Sequence, residues 1–267
     1  MTDNQATGTP PASARNPGIS PAGKDSSLWV RVGGGLEEAC SGRRHGPADP
    51  DFPPPEGPWE GVWHEDHLVG WVLPGWGRNS VGRVLEEADR IKHERRAYLL
   101  GRLSHRLRSS VLALQESARQ AAFGRRELLE QIHDQAQDVG RRALAFESVA
   151  LEPKDPPRAV VIGAVLGAAA PGARRELPGE AVVRAVEQVL RDALTRTYEW
   201  LGGPGSKIHG ELTGNWWRLE VVAAPDRQPL VVPELGEPLV RHMVDTLLEG
   251  WLDASRADRA VIYLPAV

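Results

Sequence analysis

Apolar residues recur through the middle of the chain with helical spacing. Leu100, Leu103, Leu107 and Leu114 follow one another at 3, 4 and 7 residues and lay one apolar stripe along a helix. His105 lies two residues from both Leu103 and Leu107, about 200° around the helix from each, so it points to solvent. After a break at 121–125, Leu129, Ile132, Ala136, Val139, Ala143, Phe146 and Ala150 alternate in steps of 3 and 4, a sustained heptad pattern. Upstream, Val81, Val84, Leu85, Ala88 and Ile91 predict a connecting helix over 80–97 that runs into the first of the two. Two amphipathic helices with a short Gly-containing connection predict an antiparallel hairpin. Its continuous seam is best buried against a second copy, as a dimeric four-helix bundle.

The flanks follow another period. Ser27–Val32, then Gly61–Trp63 and Leu68–Leu73 around a four-residue polar turn, are rich in Val and Trp and predict a β-hairpin module. The Gly- and Pro-rich segment 33–58 reads as loop. On the far side, Ala159–Gly167 suits a strand and a buried helix equally. Val182, Val183, Val186, Val189, Leu190, Ala193 and Leu194 predict one long helix within 179–201. Lys207–Leu212 and Trp216–Val222 form an antiparallel pair about Thr213-Gly214-Asn215, followed by a helix over 236–248 and a closing strand, Ala260–Leu264. That order predicts an α/β sandwich with helices on one face of a mixed sheet.

Proline draws the boundaries: eleven of the 22 prolines fall at or before Pro74, none lies between Gly75 and Glu152, and eleven follow from Pro153. The fold class is therefore α+β. Residues 1–26 are expected to be a disordered tail, 27–80 a small β-containing module, 81–152 the connecting helix and hairpin, and 157–267 the sandwich.

Composition narrows the function classes. A net charge of -4 over 267 residues gives no support for nucleic-acid binding. The single Cys40 excludes an internal disulfide and a cysteine-rich metal site. The longest apolar run, Ala159 to Ala170, is 12 residues and too short to span a bilayer. An N-terminus with Asp3, Asn4 and no apolar segment does not read as a signal peptide. These features predict a soluble cytoplasmic protein without membrane contact. His64 and His67 have no third ligand nearby and read as an exposed turn rather than a metal site.

Ser104-His105-Arg106-Leu107-Arg108-Ser109 resembles the phosphoacceptor box of bacterial sensor histidine kinases, roughly S-H-E-L-R-T-P on the first helix of a dimerisation hairpin. Ser104, His105, Leu107 and Arg108 match and Ser109 stands for Thr, whereas Arg106 replaces the acidic residue and Ser110 the proline. The second flank is similar to the ATP-binding domain of that family. Glu187–Leu194 resembles its N box, Gly236–Val244 its G2 box and Ala260–Pro265 its last strand. The resemblance places an input module at 27–80.

The resemblance also shows what is missing. The acidic neighbour of the phosphoacceptor takes up its proton during attack on ATP, and a guanidinium at Arg106 cannot. Asp192 stands at the magnesium-binding Asn of the N box. Of the D-x-G-x-G adenine loop only Asp226 remains, and the nine residues 227–235 leave no room for a lid over the triphosphate. Gly236 alone is left of the leading glycines of the G2 box. Asp192 and Asp226 are thus expected to be vestigial cofactor contacts, with ATP and magnesium absent unless this domain still binds them. Phosphotransfer from an aspartyl phosphate needs only a neutral imidazole with cations nearby. Arg108 and Ser109 share a face with His105, and Arg106 favours its neutral form. The expectation is a two-component signalling protein: a homodimeric pseudokinase acting as a histidine phosphotransferase through His105, with a response-regulator receiver domain as partner. The alternatives are a non-catalytic dimeric scaffold for a response regulator or kinase, and an active sensor histidine kinase with a divergent ATP site.

Overall fold

The computed structural model describes residues 28–47, 54, 57–74, 80–123, 125–151, 153–225 and 235–267. The expected tail at 1–26 and Asp226 lie outside them.

The N-terminal module is a five-stranded antiparallel sheet in the order β3-β2-β1-β5-β4. Its strands are β1 (Leu28–Val32), β2 (Gly35–Glu38), β3 (Arg44–His45), β4 (Glu60–His64) and β5 (His67–Val72). The expected hairpin is β4–β5, turned by Glu65 and Asp66, both at positive φ. The expected loop at 33–58 instead contributes β2 and β3. One glycine and two glutamates hide the first of these from a hydrophobicity pattern, yet Gly35 and Leu36 are buried. Leu28, Val30, Val32, Val62 and Val72 pack against the next helix, while Trp29, Leu36, Trp59 and Trp71 cluster separately.

That helix, α1 (Ser80–Ala122), is unbroken for 43 residues, so the connecting helix and the first hairpin helix are one element. It returns through a short 3-10 turn into α2 (Leu129–Ala150). α1 buries Val84, Ala88 and Ile91 against the sheet, then Leu99 and Leu103 in the main core. α2 turns Arg142, Ala145 and Val149 inward, one step around from the expected seam. Ile132, Val139 and Phe146 are half-buried, and Ala136 and Ala143 are exposed.

The C-terminal sandwich is a mixed sheet, order β11-β12-β10-β9-β7, made of β7 (Arg174–Glu176), β9 (Lys207–Thr213), β10 (Trp216–Val222), β11 (Trp251–Arg256) and β12 (Arg259–Pro265). Only the β7–β9 pairing is parallel. A two-stranded ladder, β6 (Arg158–Val161) with β8 (Val182–Ala185), adjoins it. Leu219, Val221, Ile262 and Leu264 alternate inward beneath α3 (Ile162–Ala169), α4 (Glu187–Trp200) and α5 (Glu237–His242), and a π turn at 243–247 follows α5. The ambiguous run at 159–167 resolves into both readings, β6 and then α3. The long helix expected over 179–201 begins only at Glu187. The valines before it satisfy a period of two as well as 3.6, and pairing with β6 puts Val183 and Ala185 inside. Among the described residues no helix is long and apolar enough to cross a membrane, and no group of three metal-ligating side chains occurs.

Arg96 fixes the junction of hairpin and sandwich. Its guanidinium donates to the Val149 and Ala150 carbonyls at 3.0 and 2.7 Å, serving the carbonyl end of α2. His242, 8% exposed on α5, lies near Arg96. Burial first, and Arg96 second, hold its imidazole down at about 4. The unfolded chain takes up this proton near pH 6.5 and the folded chain does not. The stability His242 contributes is therefore whole above that pH and lost as pH falls towards 4. Relative to His242→Gln, the parent chain should lose about 3 kcal/mol between pH 7 and pH 4. Urea unfolding at stepped pH reads this difference, and parallel stability curves for the two proteins would contradict it.

Candidate functional site

His105 sits on α1 two residues beyond Leu103, the last α1 side chain buried in the main core. Leu103 is fully buried, and a turn of about 200° leaves the His105 imidazole exposed, as the spacing predicts. Ser104, Arg106, Arg108 and Ser109 are exposed with it. The Ser109 hydroxyl donates to the His105 backbone carbonyl at 3.0 Å, so its hydrogen serves the helix rather than the imidazole.

The surroundings are strongly cationic. Between Glu94 and Glu116 α1 carries Arg95, Arg96, Arg102, Arg106 and Arg108 and no carboxylate. Arg102 lies over the Tyr98 ring at 5.8 Å and donates to its hydroxyl at 3.3 Å. The carboxylate that α2 turns towards α1, Asp138, accepts from Ser110 at 3.0 Å and from Arg142 at 2.7 Å. Those donors hold its pKa below the usual range against the cost of partial burial. Asp138 therefore stays an ionised partner of Arg142.

The residues expected to contact a nucleotide lie on other elements. Asp192, on α4, is half-buried, and its carboxylate accepts from Gln188 one turn earlier at 2.9 Å. Gly236 precedes α5, a helix of only six residues, and a Cβ there would stand 2.8 Å from the Trp200 indole. The space that glycine leaves is filled by a ring of its own chain. Three cavities among the described residues, of about 830, 320 and 170 Å³, are lined by neither Asp192 nor His105.

Sequence reasoning missed a second polar cluster, around Asp245 in the π turn. Asp245 is 1% exposed and accepts from Arg44 of β3 and from the Leu252 amide at 2.9 Å, with Arg95 of α1 at 3.9 Å and Arg241 of α5 at 4.0 Å. Burial raises its carboxyl to about 6 against the pull of Arg44, the Leu252 amide and Arg95. One signal was available: Arg95 falls on the same helical face as Ile91 and Leu99, where the pattern calls for an apolar residue.

No family model matches the chain, and comparison with the curated proteins finds no match. Among solved structures, histidine kinase ThkA, in complex with response regulator protein TrrA, is 11% identical and aligns over 90% of this chain and 79% of that one, with a TM-score of 0.50. Histidine kinase AdeS of Acinetobacter baumannii is 15% identical over 60% of this chain and 97% of that one, with a TM-score of 0.48. The helical hairpin followed by an α/β sandwich is a histidine-kinase-like fold.

Proposed function

We propose that the protein acts in two-component signalling as a homodimeric pseudokinase whose His105 exchanges phosphoryl groups with the receiver domain of a response regulator. The observation that carries the reading is the exposed imidazole on a hairpin helix of this fold, in a stretch of α1 rich in arginine and free of carboxylates. A receiver's phosphorylated aspartate is an acidic target that such a face attracts. Transfer needs the neutral imidazole to attack phosphorus as the aspartate oxygen leaves. Arg108 on the same face takes up charge spread over the phosphoryl oxygens.

Autophosphorylation from ATP lies outside this reading. Arg106 stands where a proton acceptor is needed, Gln188 engages Asp192, and Trp200 fills the space beside Gly236. Those residues do not suit a magnesium–triphosphate complex. The 227–235 segment is also short for a lid.

Incubation with a phosphorylated cognate receiver should place an acid-labile, base-stable phosphoryl group on the protein. His105→Gln should abolish it with the fold intact, and Arg108→Ala should slow transfer by up to about 10³-fold. Radiolabel from ATP appearing on His105 would restore the autokinase reading. Receiver binding without transfer, unchanged by His105→Gln, would leave a scaffold.

Dimerisation is supported by the apolar side chains one hairpin leaves outside. Leu112, Leu129 and Leu144 are 56%, 59% and 62% exposed, and Ile132, Val139 and Phe146 are only half-buried. Val139→Asp should give a folded monomer by light scattering at micromolar concentration, because a charge buried unpaired in the seam costs about 3–5 kcal/mol. A parent protein that is itself monomeric would remove the homodimer from the proposal.

A further inference from the structure

The N-terminal sheet and the sandwich have separate apolar cores that share one helix. Val84, Ala88 and Ile91 of α1 belong to the first, and Leu99 and Leu103 to the second. Between them the buried side of α1 presents Arg95. The junction at this level is built of backbone and charge.

Its backbone part is the Gly33-Gly34-Gly35 turn between β1 and β2. Gly33 adopts φ +64°, in the left-handed region, and a Cβ on it would collide with the Asp245 carbonyl oxygen. A Cβ on Gly34 would stand 2.6 Å from the Trp216 ring, and one on Gly35 would overlap the Trp251 ring. The Gly34 amide donates to the Gly250 carbonyl at 2.6 Å. Three side-chain-free residues thus seat the edge of the sheet in a slot of the sandwich.

Its charged part surrounds Asp245. Arg44, stacked 3.9 Å over Trp251, comes from the sheet, Arg95 from α1 and Arg241 from α5. Glu37 of β2 pairs with Arg95 and Glu237 with Arg241. Three cations meet three anions, and the set is neutral. It is not saturated: Arg44 Nε and Arg95 Nη1 are buried without a hydrogen-bond partner. Beside the turn lies the cavity of about 830 Å³, with Arg31, His67 and Leu68 on the sheet side and Leu248 and Glu249 on the sandwich side.

We propose that the triple-glycine turn and the Asp245 cluster form a releasable clasp, whose opening separates the N-terminal sheet from the sandwich while both apolar cores stay closed. Opening exposes glycine backbone, three guanidiniums and their carboxylates, which water solvates well, together with the parts of the Trp216 and Trp251 rings that the glycines cover, and it relieves two buried N–H groups of their missing partners. Interfaces of this polar kind are the ones at which domains of one chain move. Arg95 ties the clasp to α1 ten residues before His105, about 15 Å along the helix. The clasp is thus a route by which the N-terminal module reaches the phosphotransfer face, and its operation does not depend on the chemistry at His105.

Hydrogen exchange on the full chain tests this through the Gly34 amide, whose bond to the Gly250 carbonyl crosses the clasp. It should exchange at least about tenfold faster than central amides of β10 and β12. Arg44→Ala should speed it by a further factor of about ten with β10 and β12 unchanged. Exchange of Gly34 in step with β10 and β12 would show that the junction opens only when the protein unfolds, and would overturn the proposal. Gly34 exchange left unchanged by Arg44→Ala in a folded variant, reflecting local fluctuation of the turn alone, would do the same. Should Arg44→Ala not fold, the comparison within the parent chain decides alone.

Discussion

The whole arrangement hangs on the continuity of α1. At 1.5 Å per residue its 43 residues span about 65 Å, and its buried side runs through Val84, Ala88, Ile91, Arg95, Leu99 and Leu103. The first three side chains hold the N-terminal sheet and the last two hold the sandwich, so α1 enters both apolar cores, which are otherwise separate among the described residues. Beyond Leu103 α1 leaves the main core and packs along α2 and the turn that joins them. The exposure of His105 follows from that geometry: it is placed just where the helix leaves the sandwich, with the imidazole on the side away from the last buried leucine.

Arginine does three different jobs along this helix, and position decides which. Arg95, on the buried side, meets Asp245 and Glu37; Arg96, one residue around, serves the carbonyl end of α2; Arg102, on the surface, lies over Tyr98. None of these has a carboxylate neighbour on α1 itself between Glu94 and Glu116. The exposed cations nearest His105 along the helix are therefore Arg102, Arg106 and Arg108, while the charge of Arg95 is met by Asp245 and Glu37. At neutral pH Asp245, with a pKa of about 6, is a carboxylate, which is the form its arginines require.

Elements whose residues obey a single period were legible from sequence. The proline-free heptads gave α1 and α2, and the Thr213-Gly214-Asn215 turn gave β9 and β10, because a 3.6 repeat or a tight turn admits one local answer. β8 was misread because a run of valines fits both periods, and only pairing with β6 chooses between them. β2 and β11 were missed because each mixes charged or glycine residues into a short strand whose burial comes from distant partners. The exposure of His105 was readable from its spacing to Leu103 and Leu107. The Asp245 cluster was not, since its members come from β2, β3, α1, α5 and the π turn, with Arg44 and Asp245 alone 201 residues apart, and no window on the sequence contains them. Its one local trace was a charge on an apolar stripe.

Glycine shows why composition alone misleads about such sites. Bare glycine runs suggest a loop that cradles phosphate, and Gly33-Gly34-Gly35 is the densest run among the described residues. What faces the absent Cβ settles the matter. At Gly33 it is a backbone carbonyl oxygen, which repels an anion; at Gly34 and Gly35 it is the flat of an indole; at Gly236 it is the indole of Trp200. In each case the missing side chain admits another part of the same chain and leaves no concave array of N–H donors for a phosphate. In this protein the glycines that could be mistaken for a nucleotide loop seat one part of the chain against another.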